Sequence, residues 1–353
     1  MPFTAAELAN IQNAALDHYF ERGRVTAQAI QNKPMLVAFD QAAGTFPGGK
    51  EFVSLAVKAG QAGLPLTGYT HDDVLTYGNP ATIRRINFPW REHFIGMGVT
   101  HTELKADGIT VIETNASQRT SEKDGREEQA LANMLEEKIN EMAEDYDVGL
   151  DTLIHGDGSS DAKAIAGIRA FILDNPATGS TGGLSRVTNT WWQNRARTAA
   201  SGGVITSTPA NGGALLQVLQ AEERQLNRFA SNRKSRMFAG SDFISALETE
   251  LRANGNYTLN GWQSGAKADG AMPAVSFGGI TVEYDPTLDN LGLQKRMYNI
   301  DMNAIKLLYM SGEKKKKANP ARPHDRFVMF QGMSTTAVMV AKRLNSSGVY
   351  DIA

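Results

Sequence analysis

The sequence predicts an α+β chain, on three observations. Leu131, Leu135, Ile139, Met142, Tyr146, Leu150 and Leu153 recur in steps of three or four and mark one very long amphipathic helix. Runs rich in β-branched and aromatic residues come in clusters separated by turns, as in EFVSLAVKAG and ATIRRINFPW. Strands and helices never alternate in the manner of a parallel βαβ sheet.

Taken in order, Leu8, Ile11, Ala15, Leu16, Tyr19 and Phe20 predict a helix over residues 4–22, with Thr4 as N-cap and Glu7 closing a capping box. Residues from there to Lys50 read as an extended arm broken by Pro34, Gly44, Pro47, Gly48 and Gly49. Two strands come next, around a polar, glycine-rich stretch of residues 60–80. A loop that long is normally functional or touches something outside its own domain. Asp107-Gly108 marks the turn of a further hairpin.

The long helix is expected over residues 123–155, about 50 Å at 1.5 Å per residue. From Arg119 to Asp151 there are 11 acidic against 4 basic residues, a net of −7. Such a helix suits the edge of a thin, flat protein. A second helix is predicted over residues 211–230, with Leu215, Leu216, Leu219, Leu226 and Phe229 inward. A third, capped by Ser241, carries Ile244, Leu247 and Leu251. Strands are expected over residues 275–284 and 297–310, then FVMFQGM and TTAVMVAKR as separate terminal strands.

Composition narrows the function. The chain has 353 residues, 41% of them hydrophobic, enough for a sizeable core. Its net charge of −2 argues against a surface built throughout for nucleic acid. Without cysteine, disulfide and thiolate sites are excluded. The N-terminus lacks the pattern of a signal peptide, and no apolar run reaches the ~18 residues of a membrane span.

Chemistry-bearing motifs are sparse. His93, His101 and Glu103 could be imagined on zinc, but their spacing departs from known sites, and surface histidines are the expected reading. Asp145, Asp147 and Asp151 lack the glycine turn of a calcium loop and read as a solvated acidic face. Gly96–Gly98 and Gly179–Gly183 complete no phosphate-binding motif. No catalytic, cofactor-binding or metal-binding residue is assigned, and no cofactor is expected. Lys314, Lys315, Lys316 and Lys317 form the one dense charge run. It is either a solvated loop or a contact with phosphate or an acidic neighbour, such as the long helix of an adjacent subunit.

The order of these pieces, with FPWREHFIGMGVTHTELKADGI before the long helix and GIRAFILDNPATGSTGGLSRVTNTWWQNR after it, resembles the major capsid proteins of tailed bacteriophages, of the Hong Kong 97-type fold. The resemblance implies an N-terminal arm at 1–47, an extended E-loop hairpin at 48–92, and a peripheral domain with spine helix at 93–165. It implies an axial domain at 166–310 and return strands of the peripheral domain at 311–353. On its own physics, a long two-stranded hairpin is marginal in water. Phe52, Val53, Leu55, Val57, Ile83, Ile86 and Phe88 are therefore expected to find cover on neighbouring subunits.

The resemblance further implies a structural, non-enzymatic subunit. It would form pentamers and hexamers of itself, closing as an icosahedral virion capsid around double-stranded DNA held non-specifically, and would be assembled in the host bacterial cytoplasm. Portal, scaffolding and decoration proteins would be its partners; a membrane would not. An encapsulin-like nanocompartment shell is the rival within the fold, and a metal-dependent hydrolase using His93, His101 and Glu103 the remote one. In this setting Trp191 and Trp192 are expected on alternate faces of a strand or strand end, anchoring the core of the axial lobe and a subunit contact. Arg186, Arg195 and Arg197 are expected to pair with carboxylates rather than phosphates.

Overall fold

The structure is a computed structural model, and it describes residues 31–60, 64, 66–74, 77–79, 82–100, 102, 125–207, 214–230, 232–253, 276–318 and 328–353. The predicted helix over residues 4–22 and the hairpin with the Asp107-Gly108 turn lie outside them. In chain order the elements are α1 (Pro34–Gln41), β1 (Gly44–Phe46), β2 (Phe52–Lys58), β3 (Ile83–Pro89), β4 (Arg91–Thr100) and α2 (Gly125–His155). Next come α3 (Ile168–Phe171), β5 (Ser180–Thr181), β6 (Leu184–Ser185), a 3-10 turn (Thr190–Trp192), β7 (Arg195–Arg197), α4 (Ala214–Arg228), β8 (Ser235–Ala239) and α5 (Ser241–Ala253). The rest are β9 (Ser276–Phe277), β10 (Ile280–Tyr284), α6 (Pro286–Asn290), β11 (Arg296–Asp301), β12 (Ile305–Met310), β13 (Lys316–Ala318), β14 (Val328–Ala341) and β15 (Gly348–Asp351). The α+β class is the one the sequence predicts.

The sequence predicts an extended arm up to Lys50; instead α1 forms there. Pro34 occupies the first helical turn, where its missing N–H costs nothing and its fixed φ suits the helix. Met35 and Phe39 are fully buried. Tyr309 of β12 donates from its hydroxyl to Asp40 Oδ1 at 2.6 Å, and β1 lies parallel to β12 from Gly44↔Leu308 to Phe46↔Met310. Proline thus starts an element where its presence suggests a break.

Two compact units divide the chain, one drawing on residues 93–150 and 312–335, the other on 31–92, 151–311 and 336–353. In the first, β4 pairs with β14, and the Phe94 ring lies over Gly332, where any side chain would collide with it. β13 runs antiparallel to β14 from Lys316↔Ser334 to Ala318↔Gly332. α2 contributes Met142, Tyr146 and Leu150 as buried residues four apart. Its 31 residues correspond to about 46 Å.

The second unit holds a six-stranded sheet in the order β7-β15-β11-β8-β10-β9. All six residues of β11 are buried, so this central strand is covered on both faces. Leu215, Leu219, Phe243 and Leu247 from α4 and α5 pack with Met237, Ala239, Met297 and Tyr350 of the sheet. Helical spacing brings the leucines to one side, and strand alternation brings their partners to meet them. Phe229, expected to point inward, lies just past the end of α4 and is exposed.

Three further elements differ from expectation. The run 297–310 is two strands, because Asp301 Oδ1 accepts the Asn303 N–H at 3.1 Å and turns the chain between β11 and β12. Where the sequence predicts FVMFQGM and TTAVMVAKR as separate strands, Val328–Ala341 is one continuous strand, β14. Ser241 does not cap α5 with its side chain; its own N–H is received by Asp289 Oδ1 at 3.0 Å. A buried carboxylate does the same for α4: Glu250 accepts from the Leu215 and Leu216 N–H groups, each at 3.1 Å. It thereby satisfies two of the donors that a helix start leaves unpaired.

Candidate functional site

β2 and β3 pair antiparallel from Phe52↔Pro89 to Lys58↔Ile83. Directly opposed residues share a face, so Val53, Leu55 and Val57 lie on one side with Ile86 and Phe88. Within this chain Val53, Val57, Ile86 and Phe88 are already buried. The expectation that the whole hairpin waits for a neighbour is therefore corrected: one face is covered at home. The opposite face is not, and Phe52 and Ile83 on it are 40% and 67% exposed.

The cover comes from a tight turn. β5 and β6 form a two-residue hairpin closed by Gly182 and Gly183, with φ of 62° and 83°. Two consecutive positive φ values suit glycine and match the twist of flanking strands. These glycines, which complete no phosphate-binding motif, thus serve a hairpin turn. Gly182 carries β3 directly: its carbonyl accepts the Asn87 N–H at 3.2 Å, and a Cβ there would come within 3.0 Å of Ile86 and Phe88. The Phe88 ring meets that of Phe171 at 5.6 Å between centroids.

Arg186 holds this seat together and has no exposure. Its guanidinium donates to Thr181 Oγ1 at 2.8 and 3.0 Å, to Asn194 Oδ1 at 2.7 Å and to the Phe171 carbonyl at 2.6 Å. None of these partners is a carboxylate, which overturns the expected ion pair. Burial alone pulls the Arg186 pKa down to about 10, so the group stays charged at neutral pH. A charge buried so deeply is tolerated because its fork of donors is met by fixed oxygens. Asn194 in turn bonds the Leu173 N–H and carbonyl through its amide.

The tryptophans do not occupy alternate faces of a strand, as the sequence suggests. They stand in the 3-10 turn, with Trp192 buried and donating from Nε1 to the Thr181 carbonyl at 3.1 Å. Trp191 is half-buried beside it, with ring centroids 5.7 Å apart. Arg195 and Arg197 do find a carboxylate: both bind Glu222 of α4, at 2.7 and 3.0 Å. Trp192 and the three arginines are therefore engaged within the chain rather than displayed as a stacking platform.

Other sequence candidates separate. His93 lies on β4, while His101 and Glu103 fall outside the described residues; among the described residues no group of three metal-ligating side chains comes together. The aspartates do not form one solvated face. Asp145 is exposed, Asp147 pairs with Lys315 at 2.6 Å, and Asp151 is buried. Lys315 thus meets the long helix of its own chain, beside the Tyr146 ring, and Lys316 pairs with Glu313. No described helix is long and apolar enough to cross a membrane.

The described residues of the loop between β2 and β3 stay open to solution. Leu66, Val74 and Tyr77 are each more than 90% exposed, with Tyr69 and Leu64 also exposed. The buried Arg186 and Glu250 gave no signal in the sequence beyond their residue types, since burial of a charge depends on partners far along the chain.

No protein-family profile and no curated protein sequence matches the chain. Solved structures do. A chain of the cyanophage A-1(L) capsid asymmetric unit is 17% identical, covering 93% of this chain and 94% of that one, with a TM-score of 0.62. A Mycobacterium phage Bobi chain is 12% identical over 94% and 93%, with a TM-score of 0.55. One from the capsid of Myoviridae phage XM1 is 12% identical over 93% and 94%, at 0.53. The chain has the phage capsid fold over nearly its whole length, as its sequence resemblance implied.

Proposed function

We propose that this protein is the major capsid subunit of a tailed bacteriophage, a structural protein without catalytic activity. It associates with itself as pentamers and hexamers that close into an icosahedral head around double-stranded DNA. The observation that carries this reading is the near-full-length likeness to the cyanophage capsid chain. The exposed apolar loop adds to it, because a subunit meant to stay alone has no use for Leu66, Val74 and Tyr77 in water.

In this reading residues 1–47 are the arm, 48–92 the loop that lies over an adjacent subunit, and 93–165 with 311–353 the peripheral domain. Residues 166–310 are the axial domain at the capsomer centre. Portal, scaffolding and decoration proteins are further partners, and the packaged DNA is held without sequence preference. The mature site is the virion, with assembly in the host cytoplasm. Electron microscopy of the purified, expressed protein tests the proposal: shells with five- and six-fold capsomers are expected. Protein that stays monomeric at high concentration, with and without co-expressed scaffold, would sink it.

A further inference from the structure

The last turn of α2 carries a buried group with no part in the hairpin seat or the exposed loop. His155 closes that helix and is 2% exposed. Its Nδ1 lies 2.8 Å from the Asp151 carbonyl oxygen, one turn back, and its Nε2 lies 2.8 Å from Asp285 Oδ2. A carbonyl oxygen can only accept. Asp285 caps α6, its Oδ1 receiving the Thr287 N–H at 3.1 Å, and as an ionised carboxylate it too can only accept through Oδ2. A neutral imidazole has one N–H and can serve one of these two oxygens. Only the imidazolium, with an N–H on each nitrogen, serves both.

The surroundings favour the cation. It sits at a helix C-terminus, where the backbone dipole attracts positive charge. The charged and titratable groups facing the cluster are Asp151 on α2, Asp285 ahead of α6, and Lys33 ahead of α1, whose charge acts on Asp151. Thr287 donates from Oγ1 to Asp151 Oδ2 at 2.6 Å. Asp151 Oδ1 lies 3.7 Å from His155 Nδ1 and, among the described residues, has no hydrogen-bond partner of its own.

We propose that His155 is a proton-held latch, which as an imidazolium ties the end of α2 to the Asp285 cap of α6 and on losing its proton releases one of the two ties. Burial works against the charged ring, but the hydrogen bond and charge of Asp285, with the charge of Asp151, outweigh it. The ring therefore keeps its proton above the ordinary 6.5. The stabilisation is complete below pH 6.5 and is lost as pH rises through the folded value, since there the native state holds a proton that the unfolded chain has shed. Burial, which opposes the charged ring, pushes the Asp151 carboxyl up from 3.8, and that shift carries the same sign at lower pH. The latch opens toward alkali, not toward acid.

Thermal and urea unfolding of the full-length protein from pH 6 to 9.5 tests this, with His155→Gln alongside. Relative to the variant, the wild-type folding equilibrium should weaken by up to about tenfold per pH unit between 6.5 and the folded value, the slope of one linked proton. Parallel curves for the two proteins would overturn the proposal. Should His155→Gln fail to fold, nitrogen-15 solid-state NMR of histidine-labelled protein decides, assembled or not. A ring whose titration midpoint lies above the ordinary 6.5 and falls back in Asp285→Asn supports the latch; a midpoint at or below 6.5, or one that Asp285→Asn leaves unchanged, refutes it.

Discussion

The six-stranded sheet and the loop between β2 and β3 solve the same problem in opposite ways. In the sheet, strands from residues 195 to 351 interleave so that β15 lies between β7 and β11, and both faces of β11 are covered. Apolar side chains there are removed from water by their own chain. In the loop, Leu66, Val74 and Tyr77 remain in water. The β2–β3 hairpin joins the two regimes: its inner face is seated on Gly182 and Phe171, its outer face and its loop are not. A fold can thus be self-sufficient at its centre and incomplete at its margin, as the proposed role of shell subunit requires. Its stability and its assembly are then separable by mutation.

Mutations should sort along that gradient. Arg186→Ala should cost the isolated subunit most, about 4 kcal/mol or more, because it removes several charged hydrogen bonds and leaves a cavity among polar atoms. Urea unfolding measures it, and a loss under about 1 kcal/mol, the worth of one ordinary hydrogen bond, would break the picture of a self-sufficient centre. Trp192→Ala should cost about 3–5 kcal/mol and Trp191→Ala far less, since one indole is enclosed and the other half-open. Equal losses would show that the 3-10 turn does not sort them.

Gly182→Ala tests the seat. The new Cβ meets Ile86 and Phe88 at a positive φ, and roughly 2 kcal/mol should be lost with earlier proteolysis of the hairpin. Glu250→Gln should cost about 1–2 kcal/mol, as a neutral amide replaces a carboxylate on the first N–H groups of α4. The smallest stability effect belongs to the loop. Leu66→Ser, Val74→Ser and Tyr77→Ser should each stay within about 0.5 kcal/mol of wild type yet lower the yield of particles by electron microscopy. Loop variants that unfold the subunit would erase the distinction between centre and margin.

Periodicity made much of this legible in the sequence. The α2 stripe, the β2 and β3 runs and the Leu215–Leu219 face of α4 could be read because each depends on neighbours in the chain. So could the exposed character of the loop, since length and glycine content are local. α1 could not, because a proline reads alike as a breaker and as the first residue of a helix, and only burial of Met35 and Phe39 decides between them. Nor could the ion partners. Arg186 looks like Arg195 and Arg197, yet the two others reach Glu222 and it reaches no carboxylate.

By itself, then, the sequence determined the class of the fold, the long helix, the hairpin and the absence of a recognisable catalytic motif. These depend on spacing and residue type, which are local properties. Tertiary structure alone decided which charges are buried, which face of the hairpin is covered, and that Asp151, Asp285 and His155 meet. Contacts such as His155 with Asp285 join residues 130 positions apart, and their geometry is set by how the elements pack, which no stretch of sequence encodes alone.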